Sequence, residues 1–449
     1  MPIENDTIAA LATPAGESAI GIVRVSGPQT DLIVSSIFVA NKAKNQHAGR
    51  ILGWVKDPAT TEKIDQVIIH INKAPDSYTG EDTAEIQCHG GLCIINTILD
   101  LALLSGARLA ERGEFTKRAF LNGKIDLIKA ESVIELIRAK TTRGVKAAAL
   151  RMSGGETGKI ENIDETLRSV LAQIEASTDF PDDIPDPEPR DLLSKLEKSI
   201  QMMEEILSHS ETSRMLSDGV KIAITGKPNS GKSTLLNAIL REERAIVTDI
   251  PGTTTDTIEE TVSIAGFPIR FIDTAGMRIP GNEIEEKGIE RSSKAITDAD
   301  IVIMVFDGSL PISSEDKIIM AKIEEKKNIR VINKIDIIEQ KIDRAIIGEA
   351  IMISAVNGTG IKDIEERIRT ELEERGSRDR IYANTRQTQC ILAARDAIIR
   401  AIDTIKTGYP PDTASIDVRD AIISLGEATG TQVSQEIIDQ IFSSFCVGK

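Results

Sequence analysis

This chain of 449 residues lacks features that mark several large classes of protein. No stretch approaches the roughly 18 uninterrupted apolar residues of a membrane-spanning helix. The first residues, MPIENDTIAALATPAG, hold no basic region ahead of an apolar run, so we expect no secretory leader. With 41% apolar and 28% charged residues, the composition is typical of a water-soluble globular protein. We therefore expect a cytoplasmic protein that does not bind membranes.

Cysteine is scarce, and its spacing matches neither a disulfide framework nor a zinc site. The cysteines are Cys88, Cys93, Cys390 and Cys446. Cys88 and Cys93 lie close to His89 in IQCHGGLC, but no second ligand pair accompanies them. Cys446 begins the final CVGK, in which Gly448 occupies an aliphatic position of a prenylation signal and no basic run precedes it. We expect neither a metal nor a lipid anchor on these cysteines.

Basic residues are also fewer than acidic residues. The chain has 54 Lys and Arg residues against 70 Asp and Glu residues, and its formal net charge is -16. This balance argues against a globally basic nucleic-acid-binding surface, but it leaves room for a local patch. The segment RLAERGEFTKRAFLNGK, residues 108–124, is the candidate basic patch, and an ordinary solvated surface is the alternative.

The pattern of apolar residues changes three times along the chain. Residues 1–118 contain short β-branched runs and a helical stretch near INTILDLALLSG, which predicts an α+β domain. Residues 119–216 show helical periodicity interrupted by the acidic loop DFPDDIPDPEP. In residues 217–380 apolar strands alternate with helices, as in a parallel α/β sheet, and residues 381–449 return to helices.

Two helical regions thus flank an α/β domain, which predicts a multidomain chain of α/β and α type. The simplest arrangement is a central helical domain into which the α/β domain is inserted, because an inserted domain needs only closely spaced termini. Two separate helical bundles, one on each side of the α/β domain, are the alternative.

The strongest chemical signal is GKPNSGKST, which follows the strand VKIAIT and precedes the helix LLNAILREE. This is the GxxxxGKS pattern in the strand, loop and helix context of a phosphate-binding loop. Gly226 and Gly231 let backbone amides surround a phosphate, Lys232 supplies positive charge, and Ser233 offers a hydroxyl to Mg²⁺. The same loop includes Ser230 and Thr234. A glycine turn before a helix is the structural alternative.

The sequence NKID at residues 333–336 predicts the nucleobase. Asp336 can accept hydrogen bonds from two adjacent N–H groups of guanine, whereas adenine has no such pair. We expect Asn333 and Lys334 to hold the base plane, and Ser354 and Ala355 to lie in the loop whose backbone contacts the guanine oxygen. The motifs GTTTD and DTAG precede NKID, and this order resembles that of Ras-like GTPases of the translation-factor type. GTP is therefore the predicted substrate.

That resemblance assigns roles to residues of the two intervening motifs. Thr254 matches the threonine that reaches Mg²⁺, Asp273 matches the aspartate on the metal side, and Gly276 matches the sensor of the γ-phosphate. The other predicted GTP-binding positions, in these motifs and in the TDIP segment just before GTTTD, are Thr248, Asp249, Ile250, Pro251, Gly252, Thr253, Thr274 and Ala275.

One departure from the Ras pattern affects the mechanism. Met277 stands where Ras-type enzymes have a water-orienting glutamine, and methionine cannot position water by hydrogen bonding. The resemblance implies that Glu285, in the acidic run NEIEEKGIE, positions the water and that Arg278 holds the second switch in place. The alternative for the acidic run is a solvated switch helix.

A monovalent cation is the second expected contributor to catalysis. Asn229 in the phosphate-binding loop would join oxygens of the segment TDIPGTTTD, from Thr248, Ile250 and Thr253, around K⁺. The cation would replace an arginine finger, whose effect on the rate is roughly 10³ to 10⁵. Alternatively, Asn229 is a plain loop-forming residue.

Further segments extend the resemblance over nearly the whole chain. They are NDTIAALATPAG, GIVRVSG, SYTGEDTAEIQCHGG, GEFTKRAFLNGKIDLIKAE and the terminal FCVGK. In this order, together with the G domain, they resemble the MnmE (TrmE) family of tRNA wobble-uridine modification GTPases. The resemblance implies that the terminal segment folds back toward the N-terminal domain and that Cys446 is a functional thiol in the modification reaction. An inert thiol is the alternative.

The resemblance also implies a folate site in the N-terminal α+β domain. A tetrahydrofolate derivative, 5-formyl- or 5,10-methylene-tetrahydrofolate, would bind across the interface of a homodimer. Arg24, Glu85 and Lys124 are at matching positions, and Lys449 would approach the same pocket. Arg24 and Lys124 can pair with the folate carboxylates, and Glu85 can accept from pterin N–H groups. Each of the four is otherwise an ordinary surface charge.

In this family the protein acts on tRNA with an FAD-containing partner, MnmG, in a heterotetramer or larger complex. Together they add an aminomethyl or carboxymethylaminomethyl group to C5 of uridine 34, while GTP hydrolysis opens and closes two G domains across the dimer. We expect the flavin on the partner, because the chain has no dinucleotide-binding fingerprint. A ribosome-assembly GTPase that acts as an RNA-binding switch is the alternative, although no basic RNA-binding module is evident. A membrane-recruited signalling GTPase is a second alternative.

Overall fold

The computed structural model describes residues 6–41, 49–155, 157–242, 261–272, 294–337, 339, 341–375 and 383–449. The chain divides into two compact units. The first unit comprises Met1–Ile134, Met152–Asp164 and Ile416–Lys449, and the second comprises Glu135–Arg151 and Glu165–Ser415. Among the helices of the described residues, none combines the length and apolar character needed to cross a lipid bilayer.

The strands of the described residues belong to two sheets, one in each unit. The strands are β1 (Ile8–Leu11), β2 (Ser18–Ser26), β3 (Phe38–Ala40), β4 (Gly49–Lys56), β5 (Lys63–Asn72), β6 (Thr83–Gly90), β7 (Arg108–Leu109), β8 (Val220–Thr225), β9 (Thr261–Ile264), β10 (Phe267–Ile272), β11 (Ile301–Asp307), β12 (Asn328–Asn333) and β13 (Ile351–Met352). The first sheet has the order β3-β4-β5-β6-β2-β1-β7, and the second has the order β13-β12-β11-β8-β10-β9.

The helices of the described residues are numbered in chain order. They are α1 (Thr30–Ile37), α2 (Leu92–Leu104), α3 (Glu114–Leu121), α4 (Leu127–Arg138), α5 (Thr142–Met152), α6 (Thr157–Asp179), α7 (Pro189–Leu207), α8 (Ser210–Ser217), α9 (Lys232–Glu242), α10 (Ser314–Ile323), α11 (Arg344–Ile347), α12 (Ile361–Arg375), α13 (Thr385–Lys406), α14 (Pro411–Thr429) and α15 (Gln435–Ser443).

Helices α1 and α2 cover one face of the first sheet, and on the opposite face Phe115 of α3 packs against Ile8 and Ala10 of β1. Its neighbouring strands are antiparallel except for the pair β1 and β7. Alternate residues of β5, Val67, Ile69 and Ile71, are buried in a core shared with α1 and α2, whereas Gln66 and Ile68 are exposed. Such alternation is expected of an antiparallel sheet with one covered face. This opposite face, called the open face because it is exposed over β4 and β5, carries Arg24 and Glu85.

The second sheet is a mainly parallel α/β sheet, as the sequence predicts. Its neighbouring strands are parallel except for β9, which is antiparallel to β10. Every residue of β11 is buried, because apolar cores lie on both faces of the sheet. In a parallel sheet the carboxyl ends of the strands meet at one edge, where ligands bind in α/β folds. Thr225, Asp307 and Asn333 end β8, β11 and β12 at this edge.

The α/β stretch is inserted into a helical domain. Helix α7 precedes this stretch in the sequence and α13 follows it, and the two helices pack against each other. The inserted arrangement is therefore confirmed over the alternative of two separate bundles. Strand β8 begins at Val220 and helix α12 ends at Arg375. The sequence bounds of the domains, 1–118, 119–216, 217–380 and 381–449, stay predictions.

Candidate functional site

The phosphate-binding loop joins the end of β8 to the start of α9. Gly226 and Gly231 have φ angles of 143° and 97°, a region that favours glycine. A Cβ atom at Gly226 would lie 2.3 Å from the carbonyl oxygen of Val305, and one at Gly231 would lie 2.1 Å from Nδ2 of Asn333. Both glycines are therefore required by backbone conformation and by the close approach of the adjacent strand ends.

Lys232 folds back over the loop. Its Nζ donates to the carbonyl oxygens of Gly226 at 2.9 Å and of Lys227 at 2.7 Å. Burial lowers the pKa of Lys232. The hydroxyl of Ser230 is also buried, and it has no hydrogen-bond partner within the described residues. A phosphate would offer charged acceptors to the ammonium and an oxygen to this hydroxyl, so the loop fits such a ligand.

The sequence predicts two Mg²⁺ ligands, Ser233 and Thr254. Ser233 and Thr234 lie in the first turn of α9, where Ser233 is half-buried and Thr234 is exposed. Ser233 therefore stands beside the phosphate-binding loop, and its role as a Mg²⁺ ligand stays a prediction. Thr254, the second predicted Mg²⁺ ligand, lies outside the described residues. Among the residues that the structure describes, no group of three or more His, Cys, Asp or Glu residues forms a candidate metal site.

Asn229 has a left-handed backbone, with a φ of 62°, and an exposed side chain. Asparagine tolerates this conformation better than most residues do. The geometry is thus compatible with both interpretations of Asn229, as a loop former and as a K⁺ ligand. The other predicted K⁺ ligands, Thr248, Ile250 and Thr253, lie outside the described residues.

Asn333 connects three loops of the nucleotide site. Its Nδ2 donates to the carbonyl oxygen of Ser230 at 2.9 Å, and its Oδ1 accepts from the backbone N–H of Ala355 at 3.0 Å. The buried side chain therefore ties the NKID loop to the phosphate-binding loop and to the loop of Ser354 and Ala355. We predicted a contact with the base plane for Asn333; in the structure its amide makes these two internal hydrogen bonds.

Lys334 lies beside a residue that the sequence analysis missed. Its Nζ lies 2.5 Å from Oδ2 of Asp307, the last residue of β11. Burial favours a raised pKa for Asp307, but hydrogen bonds from Lys334 and Ser309 outweigh it and hold the pKa below its ordinary value. The only sequence signal for Asp307 was an acidic residue at the end of the apolar run IVIMVF.

Asp336 and the loop at Ser354 complete the base-binding edge. Asp336 is exposed, and within the described residues its carboxylate makes no hydrogen bond or ion pair. The backbone N–H of Ile335 donates to the carbonyl oxygen of Ile353 at 3.2 Å, and Ser354 Oγ accepts from the backbone N–H of Asn357 at 3.3 Å. The two predicted base-binding motifs therefore lie side by side, with Asp336 available to a ligand.

The switch residues are not placed by the structure. The predicted positions that lie outside the described residues are Thr248, Asp249, Ile250, Pro251, Gly252, Thr253, Thr254, Asp273, Thr274, Ala275, Gly276, Arg278 and Glu285.

A second candidate site lies on the open face of the first sheet. Arg24 on β2 and Glu85 on β6 are register partners. Nε and Nη2 of Arg24 donate to Oε1 of Glu85 at 3.0 and 2.8 Å, and the guanidinium carbon lies 5.5 Å from the ring centroid of Phe115. The side chains of Arg24 and Glu85 are 18% and 31% exposed. The pair is therefore fixed in place and still reachable from solvent.

The C-terminal tail, residues 446–449, packs against the first sheet. Val447 forms an antiparallel bridge with Arg112. Gly448 has a φ of 92°, and a Cβ atom there would lie 2.0 Å from the carbonyl oxygen of Leu11. Its carbonyl oxygen accepts from Nη1 of Arg24 at 3.2 Å. The tail thus lies against the N-terminal domain.

Lys449 and Cys446 differ in their surroundings. Lys449 is half-buried, and burial together with the charge of Arg24 lowers its pKa, although Glu85 acts in the opposite direction. Arg24, Glu85 and Lys449 are therefore close in space. Cys446 is exposed. Lys124 is exposed and donates from Nζ to the carbonyl oxygen of Pro75 at 2.9 Å.

The candidate basic patch at residues 108–124 is largely neutralised by internal ion pairs. Nη2 of Arg118 lies 2.5 Å from Asp6 and 2.9 Å from Glu114, and the side chain is only 4% exposed. Arg108 pairs with the same two carboxylates at 2.7 Å each. Both arginines therefore stabilise the fold, and they do not present a basic surface for nucleic acid.

The second unit thus has a glycine-rich phosphate-binding loop between a strand and a helix. Asn333 joins this loop to an NKID loop with an available Asp336. This fold and this site define a P-loop GTPase, an enzyme that hydrolyses GTP.

Comparison with known proteins extends this assignment to the whole chain. The family model for the N-terminus of the GTP-binding protein TrmE matches residues 7–124, and that for the MnmE helical domain matches residues 127–446. The tRNA modification GTPase MnmE of Moorella thermoacetica is 40% identical over 461 residues, which cover 99% of this chain and 100% of that protein. The protein of the same name from Thermotoga maritima is 42% identical over 454 residues, with coverages of 99% and 100%. The chain belongs to the MnmE (TrmE) family.

Solved structures of other GTPases match the chain in part. The G domain of the T. maritima FeoB iron transporter is 28% identical to the matched region and covers 34% of this chain and 98% of that chain, with a TM-score of 0.25.

Proposed function

We propose that this protein is a cytoplasmic tRNA modification enzyme that uses GTP hydrolysis to drive the addition of a group to C5 of wobble uridine 34. The added group is aminomethyl or carboxymethylaminomethyl. The observation that carries the proposal is the similarity to tRNA modification GTPases, which extends over 99% of this chain and the full length of those relatives.

The GTPase part of the proposal assigns roles to the loops of the second unit. Lys232 exchanges the carbonyl oxygens that it now contacts for phosphate oxygens, and Asp336 accepts from guanine. Ser233 and Thr254 would hold Mg²⁺, and Asn229 with oxygens of Thr248, Ile250 and Thr253 would hold K⁺. These ions supply positive charge at the phosphates. Glu285 positions the attacking water, and Arg278 orders the second switch.

The one-carbon part of the proposal uses the first unit. Arg24 and Glu85 bind a tetrahydrofolate derivative on the open face of the sheet, with Lys124 and Lys449 nearby, and Cys446 provides a thiol for the modification step. The support for this site is that Arg24, Glu85 and the tail meet at one place, although they are far apart in sequence. A homodimer completes the pocket.

The flavin chemistry belongs to a partner in this proposal. An FAD-containing MnmG-like protein joins the homodimer in a heterotetramer or larger complex and acts on the same tRNA. Two G domains that close on GTP and open after hydrolysis would form the two-state element that controls the reaction.

The experiment that tests the folate assignment is a calorimetric titration of the full-length protein with 5-formyltetrahydrofolate. We expect saturable binding by the unchanged protein and its loss in Arg24→Ala, because this substitution removes a cation and frees Glu85. Arg190→Ala is the matched control, since Arg190 is an exposed arginine of α7. The control should bind as the unchanged protein does.

Two results would oppose the folate assignment. An unchanged protein that does not bind the folate would leave a GTPase without a one-carbon donor, and the ribosome-assembly alternative would then be preferred. Equal binding by Arg24→Ala and the unchanged protein would place the folate elsewhere.

A further inference from the structure

A row of four ionisable side chains crosses the open face of the first sheet. Arg24 on β2 is the register partner of Glu85 on β6, Glu85 is the partner of His70 on β5, and His70 is the partner of Arg50 on β4. Directly opposed residues of antiparallel strands project from the same face. At about 4.8 Å per strand, the row extends about 14 Å from Arg24 to Arg50.

A second row lies beside the first and is mostly apolar. Ile22, Gln87, Ile68 and Leu52 are successive register partners on the same four strands, two residues along from the charged row. Ile68 is 38% exposed and Leu52 is 51% exposed. The open face therefore has a charged row and an adjacent apolar row, which together suit a long ligand with polar ends and an apolar middle.

Arg24 and Glu85 can serve only one end of a folate. Their side chains are hydrogen-bonded to each other at 2.8 Å, so they occupy one place on the sheet. A reduced folate has its N–H-rich pterin at one end, an aromatic ring in the middle and glutamate carboxylates at the other end. The C-terminal tail closes the β1 side of Arg24, where the carbonyl oxygen of Gly448 accepts from its guanidinium. An extended ligand held at Glu85 therefore continues over β5 toward β4.

The far end of the charged row is suited to carboxylates. Arg50 is exposed, and it makes no hydrogen bond or ion pair with any residue that the structure describes. His70 is half-buried, and its Nε2 lies 2.9 Å from Oδ1 of Asn72, whose Nδ2 donates to Thr83. A cation without a protein partner beside an oriented imidazole is a favourable environment for an anionic group.

We propose that Arg50, His70, Ile68 and Leu52 form a tail subsite, which binds the glutamate end of the reduced folate and reads its γ-linked polyglutamate chain. The pterin lies at the Glu85 end, the aromatic ring lies on the apolar row, and the carboxylates meet Arg50. This inference rests on the proposed folate function and identifies the form of the folate that the protein prefers.

The test compares 5-formyltetrahydrofolate carrying one glutamate with the same compound carrying three, by calorimetric titration of the full-length protein. We expect the triglutamate to bind about tenfold more tightly than the monoglutamate, because its additional carboxylates can form charge-assisted hydrogen bonds. Arg50→Gln should abolish this difference. Arg190→Gln, which removes an exposed arginine from α7, should preserve it.

Several results would overturn the tail subsite while leaving the folate function intact. Equal binding of both forms by the unchanged protein is one. Loss of the difference in Lys124→Gln but not in Arg50→Gln is another, because it would assign the carboxylates to Lys124. A third is an Arg50→Gln variant that binds both folate forms as the unchanged protein does but has an altered sedimentation coefficient. This result would mean that the open face is an interface between copies of this chain. Failure to bind either form would reject the folate function itself.

Discussion

At the residue scale, the role of Asn229 is the point to test: it is either a ligand of K⁺ in a cation-assisted mechanism or a residue that only shapes the loop. Its φ of 62° is accessible to glycine, so Asn229→Gly keeps the backbone conformation and removes the whole side chain, including the amide oxygen that would bind K⁺. If Asn229 holds K⁺, the unchanged protein will turn over GTP about tenfold faster or more in KCl than in NaCl, and the variant will lose this difference. Steady-state GTP hydrolysis in the two salts measures both effects.

The matched control for this variant is Ala265→Gly. Ala265 also has a positive φ, 53°, in the turn between β9 and β10, so the change relieves similar backbone strain away from the phosphate-binding loop. The control should respond to K⁺ as the unchanged protein does. If Asn229→Gly keeps its full response to K⁺, Asn229 is a loop-forming residue and the cation has other ligands.

Residues whose chemistry depends on a local motif could be predicted from the sequence. Lys232 and the glycines of its loop follow from the spacing of GKPNSGKS, because phosphate binding requires those residue types at those positions. The internal roles of Asn333 and Asp307 could not be predicted. They depend on which strand ends lie next to each other, and that order, β12-β11-β8, is a property of the sheet.

At the element scale, helix α3 is held to the first sheet by an ion-pair network in which Glu114 and Arg118 are buried and Asp6 and Arg108 are partly exposed. Glu114 and Asp6 both accept from Arg108 and Arg118. Burial acts to raise the pKa of each carboxyl, but hydrogen bonds from the two arginines outweigh it and lower both pKa values. The pKa values of both carboxyls are lower in the folded protein than in the unfolded chain. The network therefore stabilises the fold fully at a pH above the unfolded pKa values, and this stabilisation is lost as the pH falls through the folded pKa values.

Glu114→Gln tests this network. We expect the variant to lower the free energy of unfolding of the first unit at pH 7 by roughly 3 kcal/mol, as for a broken buried ion pair. Below about pH 4.5, the ordinary value for Glu114, the difference should shrink. The chain has a single tryptophan, Trp54 on β4, so tryptophan fluorescence in a denaturant titration reports on this unit.

Glu17→Gln is the control for the network, because Glu17 is an exposed carboxylate of the same unit. Its stability should match that of the unchanged protein at both pH values. A Glu114→Gln variant with the same loss at pH 7 and at pH 4 would mean that the carboxylate charge is not the source of the stabilisation.

The C-terminal tail is the second element with a specific prediction. A Cβ atom at Gly448 would lie 2.0 Å from the carbonyl oxygen of Leu11, so Gly448→Ala should displace the tail and remove its contact with Arg24. We expect folate affinity to fall about tenfold, with GTP turnover unchanged. Folate titration and a GTPase assay on the same preparation measure the two effects.

Gly408→Ala is the control for the tail. Gly408 has a similar positive φ, 81°, but a Cβ atom there meets nothing within 4 Å. It therefore reproduces the backbone strain without the collision. Unchanged folate affinity in Gly448→Ala would show that the position of the tail is not part of the folate site.

Most helices and strands could be predicted from apolar periodicity, including the helix at Leu92–Leu104 and the strand at Val220–Thr225. The neutralisation of the charges in the 108–124 segment could not be predicted. Its charges form a basic string in the sequence, whereas Arg108 and Arg118 are neutralised by carboxylates that include the distant Asp6. A linear charge pattern does not reveal such partners.

At the scale of the whole molecule, the sequence pattern predicted an inserted domain because helical regions flank an α/β stretch. The packing of α7 against α13 confirms it. Because the α/β domain is inserted, a single chain contains both a GTPase and the first unit. In that first unit the C-terminal tail contacts Arg24. In the proposed function, GTP hydrolysis and the folate-dependent step operate together in one modification reaction.

The most direct test of this account is a reconstituted reaction followed by nucleoside analysis of the tRNA. The mixture contains the full-length protein, an MnmG-like FAD protein, unmodified tRNA, GTP, KCl, 5,10-methylenetetrahydrofolate, and glycine or ammonium. We predict a C5-modified uridine at position 34 that is absent when GTP is omitted and absent with either Lys232→Ala or Arg24→Ala. Modification that persists with Arg24→Ala, or an unmodified uridine in the complete mixture, would contradict it.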